Sequence, residues 1–232
     1  RAQRELLSGF KIDKNSKKKQ LSKANMKKFR ESQEPMQFAI SLSGEPMTYK
    51  YVGGIIEELR KRGKTSFLVT NGLYPEKLKE LERKKQLPTQ LYISVNAPEK
   101  ELYNKFHRSS KKDAWELLNK SLEIMSQLKG KTRTVFRINL VLDLNMTSPE
   151  KYAEMIKKAN PMFVEVKAFM CVGFANQRIP YNKMPYHKDI VEFSKKILEF
   201  LPEYKILDEK KESRVLLLGK DKNMMKIKEE EI

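Results

Sequence analysis

In four stretches of this chain, polar side chains recur at every second position. That spacing would place them all on one side of a β-strand. Ser41, Ser43 and Glu45 form the first set; Tyr92, Ser94 and Asn96 alternate with Leu91, Ile93 and Val95 in the second. Arg137 and Asn139 alternate with Phe136, Ile138 and Leu140, and Glu165 and Lys167 with Val164, Val166 and Ala168. Parallel strands buried on both faces read as unbroken apolar runs. These do not, so one face of the sheet is expected to look onto a polar cavity.

Each polar group has a chemistry to offer and a plainer alternative. Glu45 at a strand end can accept charge-assisted hydrogen bonds from a ligand's amino group, and Gly44 lets backbone approach that ligand closely; the alternative is a strand-to-loop turn. Thr70 and Asn71 bind the same ligand or form a turn before Gly72. Ser94 and Asn96 suit ribose hydroxyls, unless Asn96 makes an Asx turn before Pro98. Arg137 is costly to bury without an anion, which a ligand carboxylate or Glu165 would supply. A desolvated Lys167 can form a Schiff base with a ketoacid; otherwise it pairs with Glu165 or a substrate. His107 and His187 are isolated and read as surface or capping residues, and Cys171 as a small buried hydrophobe.

Strand signals lie near 37–43, 66–70, 90–96, 133–141, 162–169 and 213–218. Helix signals lie near 50–62, 75–84, 113–129, 149–159 and 187–200. Tyr51, Ile55, Ile56 and Leu59 form one apolar stripe; Trp115, Leu118, Leu122, Met125 and Leu128 form another. Gly63 and Gly130 stand where helices should stop, and Pro149 sits at a helix start. Repeated βα units imply parallel strands. A polar inner face favours a barrel or part-barrel, whose active site gathers at the carboxyl ends of the strands. Residues 1–232 read as one domain, with Lys-rich residues 11–30 as an exposed or mobile connection.

Lys and Arg exceed Asp and Glu by 48 − 30 = 18 among 232 residues, 39% of which are hydrophobic. The charge favours a nucleic-acid partner over a membrane. Arg108, Lys111, Lys112, Arg178 and Lys183 fall on loops after strands, where they can meet phosphates. The single cysteine rules out an internal disulfide framework and suggests a reducing, cytoplasmic setting. No run approaches the ~18 apolar residues of a membrane helix, and a monomer is expected.

Ser43-Gly44-Glu45-Pro46 and Thr70-Asn71-Gly72 resemble motifs of radical S-adenosylmethionine enzymes. Together with residues 92–98, Arg133 to Arg137, Phe163 to Gly173, Asn182 to His187 and Pro202 to Tyr204, they look like the archaeal tRNA 4-demethylwyosine synthases. The resemblance implies an α/β fold, a partial (β/α)6, incomplete TIM-like barrel of parallel strands. It also implies use of S-adenosyl-L-methionine and [4Fe-4S] clusters. The reaction would condense N1-methylguanosine-37 in the anticodon loop of phenylalanine tRNA with pyruvate. Ser43, Gly44, Glu45, Thr70, Asn71, Ser94, Asn96, Arg137 and Asn139 would then hold the cofactor. Such a cluster needs three thiolates, and this sequence has only Cys171. The chain therefore reads as the barrel without its cluster end, inactive by itself. Two rivals are an RNA-binding α/β module with no affinity for S-adenosylmethionine and a Schiff-base aldolase on a full barrel.

Overall fold

A computed structural model describes residues 31–41 and 44–232. The Lys-rich stretch 11–30 and Ser43 lie outside the described residues. Residues 39–232 make one compact unit. Before it, the described residues are a helical turn at 31–33 and the extended start of a strand.

Among the described residues seven strands form one sheet: β1 (Gln37–Ile40), β2 (Thr65–Thr70), β3 (Gln90–Ser94), β4 (Arg133–Leu140), β5 (Phe163–Ala168), β6 (Lys205–Lys210) and β7 (Val215–Gly219). Their order is β1-β2-β3-β4-β5-β7-β6, so the sheet has two edges and does not close. A full barrel is excluded for the described residues. Strands β2 to β5 pair in parallel. The helices are α1 (Val52–Lys61), α2 (Pro75–Arg83), α3 (Lys100–His107), α4 (Ala114–Gln127), α5 (Pro149–Ala159) and α6 (His187–Leu198).

The final strand departs from the parallel expectation. β7 runs antiparallel to both β5 and β6. Only residues 211–214 join β6 to β7, with Arg214 at φ +50°, and so short a link can form only a hairpin. A parallel neighbour needs a crossover of a dozen residues or more. Sequence reading missed β6 because Lys205-Ile-Leu-Asp-Glu-Lys210 buries Leu207 alone. Its charged residues suit an edge that must resist pairing with another chain. It also missed α3, eight residues whose buried member is Tyr103.

One face of the sheet carries the core. Leu68, Leu91, Ile93, Phe136, Ile138, Val164, Val166, Leu216 and Leu218 are inaccessible to solvent and pack with Ile56, Leu78, Leu118, Leu122, Met125, Tyr152, Ile156, Ile190 and Ile197 of the helices. Burying each such aliphatic side chain contributes about 1.5–3 kcal/mol. In α1 the buried positions are Val52, Gly53 and Ile56, whereas Tyr51 and Ile55 are exposed. The expected α1 stripe is thus rotated. Gly53 explains it: a Cβ there would lie 2.9 Å from Leu81 Cδ2 and 2.3 Å from Gln86 Oε1, so helix and neighbour meet at a residue with no side chain.

At the amino ends of the strands Arg133 is nearly inaccessible. It donates to Gln90 Oε1 at 3.0 Å, to both Glu231 carboxylate oxygens, and to the carbonyls of Met224, Met225 and Lys226. A cavity of about 850 Å3 opens beside it, lined by residues including Arg60, Met162 and Ile232. This end lies away from the alternating polar residues.

Candidate ligand site on the open face of the sheet

The opposite face of the sheet carries polar residues in register. Ser94 stands beside Arg137, and Arg137 beside Glu165. Two residues further along, Asn139 stands beside Lys167. All five are partly accessible while their sequence neighbours are buried, as expected for strands covered on one face only. Below these rows Tyr92, Val135, Phe163, Leu217 and Met225 form a small apolar floor. The polar surface therefore begins midway up the sheet.

Arg137 and Glu165 form an ion pair, Nε to Oε1 2.7 Å, with side chains 27% and 22% exposed. The guanidinium also lies over the Tyr92 ring, 5.9 Å from its centroid. The plainer alternative for Arg137 is thus present. It uses one edge of a five-donor group, and no described residue hydrogen-bonds the terminal Nη atoms. Burial and the Glu165 carboxylate push the Tyr92 phenol up. Lys167 has no ion pair or hydrogen bond with any described residue, so its expected pairing with Glu165 is not formed; Glu165 is engaged by Arg137.

Glu45 closes the site at β1 and β2. Its Oε1 accepts from the Thr70 hydroxyl at 2.6 Å and from Met47 N–H at 3.1 Å; Oε2 accepts from Asn71 N–H at 2.8 Å. The bond to Met47 caps the short helix Pro46–Thr48. Glu45 is therefore a turn residue as well as a candidate ligand. An ionised carboxylate has about four acceptor positions, and three are filled, leaving one on Oε2. Gly44 has φ +79°, with nothing within 4 Å of where a Cβ would stand. Thr70 and Asn71 serve the turn: Thr70 Oγ1 accepts from Gly72 N–H and Asn71 Oδ1 from Leu73 N–H.

Gly72 ties this turn to α4. Its carbonyl accepts from the Ser121 hydroxyl at 2.6 Å. Its φ is +75°, and a Cβ would lie 2.8 Å from Leu118 Cδ1 and 3.0 Å from Ile93 Cγ2. Left-handed strain and overpacking together should make Gly72→Ala cost about 2 kcal/mol. Calorimetry should find the unfolding midpoint lowered by about 6 °C; an unchanged midpoint would contradict the packing.

At β3 and β4, Asn96 Oδ1 accepts from Asn139 N–H at 3.1 Å, so the Asn96 side chain binds the next strand instead of the local turn. The fully buried Asn145 joins both strand ends. Its Nδ2 donates to the carbonyls of Asn96 (2.8 Å) and Asn139 (2.9 Å), and its Oδ1 accepts from Val141 N–H at 2.6 Å. Tyr152 donates to the Asn145 carbonyl. Sequence reasoning missed Asn145, which lies in an irregular loop with no periodic signal.

The basic candidates divide. Lys111 donates to the Leu73 carbonyl and sits 3.9 Å from the Tyr74 ring centroid, and Lys183 pairs with Asp143 at 2.8 Å. Arg108, Lys112 and Arg178 are exposed. His107 is half-buried against Tyr103 and Phe106, with burial pulling its pKa down, rather than at the surface. His187 begins α6 and meets Glu209 at 2.8 Å. Cys171 is partly accessible, its thiol 3.4 Å from the Ile179 carbonyl. Among the described residues no three His, Cys, Asp or Glu side chains converge as a metal site, and no helix is long and apolar enough to cross a membrane. A four-iron cluster does not fit the residues present. Glu45 keeps one acceptor position and Arg137 keeps its terminal donors, which are complementary in chemistry to the ammonium and carboxylate of an amino acid.

Residues 10–156 match the model of the radical SAM superfamily, and residues 158–220 match the model described as wyosine base formation. A tRNA 4-demethylwyosine synthase of Pyrococcus abyssi is 49% identical over 95% of this chain. The chain spans 62% of that relative's length. Two solved structures resemble it: TYW1 with a lysine–pyruvate adduct bound (TM-score 0.73, 35% identity, 85% of this chain and 60% of that one) and an archaeal TYW1 (TM-score 0.69, 34% identity, 86% and 62%).

Proposed function

As this chain belongs to the radical S-adenosylmethionine superfamily, we propose that it is the substrate-holding part of a tRNA 4-demethylwyosine synthase. The reaction joins N1-methylguanosine-37 of phenylalanine tRNA to two carbons of pyruvate and closes a ring. The observation that carries the reading is the open polar face, where Ser94, Arg137, Glu165, Asn139 and Lys167 stand in register beside the Glu45 turn. The names of the relatives point the same way.

Bound S-adenosylmethionine would supply the hydrogen-abstracting chemistry; this chain's residues hold and shield it. Glu45 takes the amino group at its remaining acceptor position, with Gly44 keeping the approach open. Ser94 and Asn96 lie where ribose hydroxyls would meet the strand ends, and Arg137 offers its terminal nitrogens to a carboxylate. Asn139 borders Lys167. The apolar floor beneath would limit the approach of water from the amino ends of the strands. The three thiolates that an iron–sulfur cluster needs are not in this sequence, whose one cysteine is Cys171.

Lys167 would hold the ketoacid. One structural relative carries a lysine–pyruvate adduct, and Lys167 lies on the polar face of the sheet with no hydrogen-bond or ion-pair partner among the described residues. A neutral amine attacks the pyruvate carbonyl, loses water and leaves an imine that borohydride reduces to a stable secondary amine. Incubation with pyruvate and borohydride followed by peptide mapping should mark Lys167. An unmodified Lys167 would remove it from the chemistry. Binding of tRNA without any affinity for S-adenosylmethionine would instead favour an RNA-binding module.

A further inference from the structure

Among the described residues, the three most exposed large apolar side chains are Phe174 (80%), Tyr181 (66%) and Val172 (65%). All three belong to the loop from β5 to α6, and Tyr186 at its end is exposed too. Single exposed hydrophobes need no explanation, but such a concentration in fifteen residues does.

The loop is not short of apolar shelter. It folds around its own small core of Val141, Phe169 and Met184, with Phe106, Leu144, Met170, Cys171, Ala175 and Ile179 packed against it. Leu142 N–H donates to the Lys183 carbonyl at 3.0 Å, and Arg214 donates to the Pro185 carbonyl at 2.8 Å. Two short 3-10 helices, Gly173–Gln177 and Tyr181–Lys183, set the path. The underside is thus fixed, and the aromatic rings are held outward on an ordered base. Arg178 is exposed between them. The whole loop rises from β5, the strand that carries Glu165 and Lys167.

Outward aromatic rings on a hydrogen-bonded base, interleaved with a guanidinium on a chain of formal net charge +18, match the chemistry of single-stranded RNA. Unpaired bases stack on such rings, sequence-tolerantly, while cations meet the phosphates. A paired duplex hides its base faces and gains nothing from them. We infer that Phe174 and Tyr181 form a stacking platform for unpaired bases of an RNA loop, holding the nucleotides next to the one that enters the polar face. This rests on the tRNA reading above and adds the surface and the type of contact. A protein partner or a second copy of the chain would use the same rings without preferring unpaired bases.

The test is fluorescence anisotropy with two labelled RNAs of equal charge, a hairpin with a seven-nucleotide loop and a fully paired duplex. Phe174→Ala and Tyr181→Ala should each weaken hairpin binding about tenfold and leave duplex binding unchanged. Phe174→Trp should restore it, and the salt dependence of Phe174→Ala should keep the wild-type slope, because no phosphate contact is lost. Both side chains are exposed, so folding is not at stake. Equal hairpin binding by wild type and the alanine variants would overturn the platform and leave the tRNA reading standing. So would an equal loss for the duplex, or a wild-type dimer that Phe174→Ala dissolves. A wild-type chain that binds neither RNA would overturn both.

Discussion

Asn145→Ala should be the most damaging single substitution at the site. The side chain is fully buried and makes three hydrogen bonds that join the ends of β3 and β4. Truncation leaves the Val141 N–H and the carbonyls of Asn96 and Asn139 without these partners. An unsatisfied buried polar group costs about 1–3 kcal/mol, so the total is about 4 kcal/mol. For a chain of this size that lowers the unfolding midpoint by about 12 °C. Asn145→Asp separates shape from hydrogen bonding: it keeps the acceptor toward Val141 but turns both donations into a carboxylate facing carbonyl oxygens. It should be no better than alanine near neutral pH. Scanning calorimetry reads both, and a midpoint within 3 °C of wild type for either would refute the hub.

The same residue shows where sequence reading ended. Polar alternation along β3, β4 and β5 was legible because a strand's period of two survives in one dimension. It puts Ser94, Arg137, Glu165, Asn139 and Lys167 on one face. The competing pairings of Arg137 and Lys167 were not decidable that way. Whether Glu165 bonds across to β4 or along its own strand depends on inter-strand register, which sequence spacing does not contain. Asn145 works through an irregular loop against two strands, 49 and 6 residues away. Nothing periodic marks it. Ser121 is a middle case: a serine on the buried face of α4 invites the question of what it bonds, but only the fold answers with Gly72.

The antiparallel end of the sheet has the same origin. Val215-Leu-Leu-Leu218 reads as a buried strand in either direction. The direction is set by β6, which hid because its burial depends on one leucine. Lys111 illustrates a subtler loss. Loop position alone made it a candidate for phosphate, yet its ammonium lies on Tyr74 and the Leu73 carbonyl. There it fixes the loop after β2 against the segment before α4. A charge on a loop becomes a binding residue only if the protein leaves it unused.

Glu45→Gln should produce the largest change in ligand binding. The carboxylate already receives Thr70, Met47 and Asn71, and those bonds hold it at the ends of β1 and β2 with one acceptor position left. An ammonium placed there gains a charge-assisted bond, which contributes about 1.5–3 kcal/mol. Glutamine removes the charge and turns an amide N–H toward a backbone or hydroxyl donor, so the turn is disturbed as well. Titration calorimetry of the chain with S-adenosylmethionine should show affinity reduced about 10- to 100-fold. Thr70→Val supplies the control, because it removes one neutral donor and leaves the carboxylate charged. It should reduce affinity less than about fivefold while lowering stability by about 1 kcal/mol. If the two variants bind alike, the charge of Glu45 is not what the ligand reads and the residue is a cap for the Pro46–Thr48 turn. If the wild-type chain itself gives no binding heat, Glu45 loses its assignment outright. Equal affinity of Glu45→Gln and wild type would do the same.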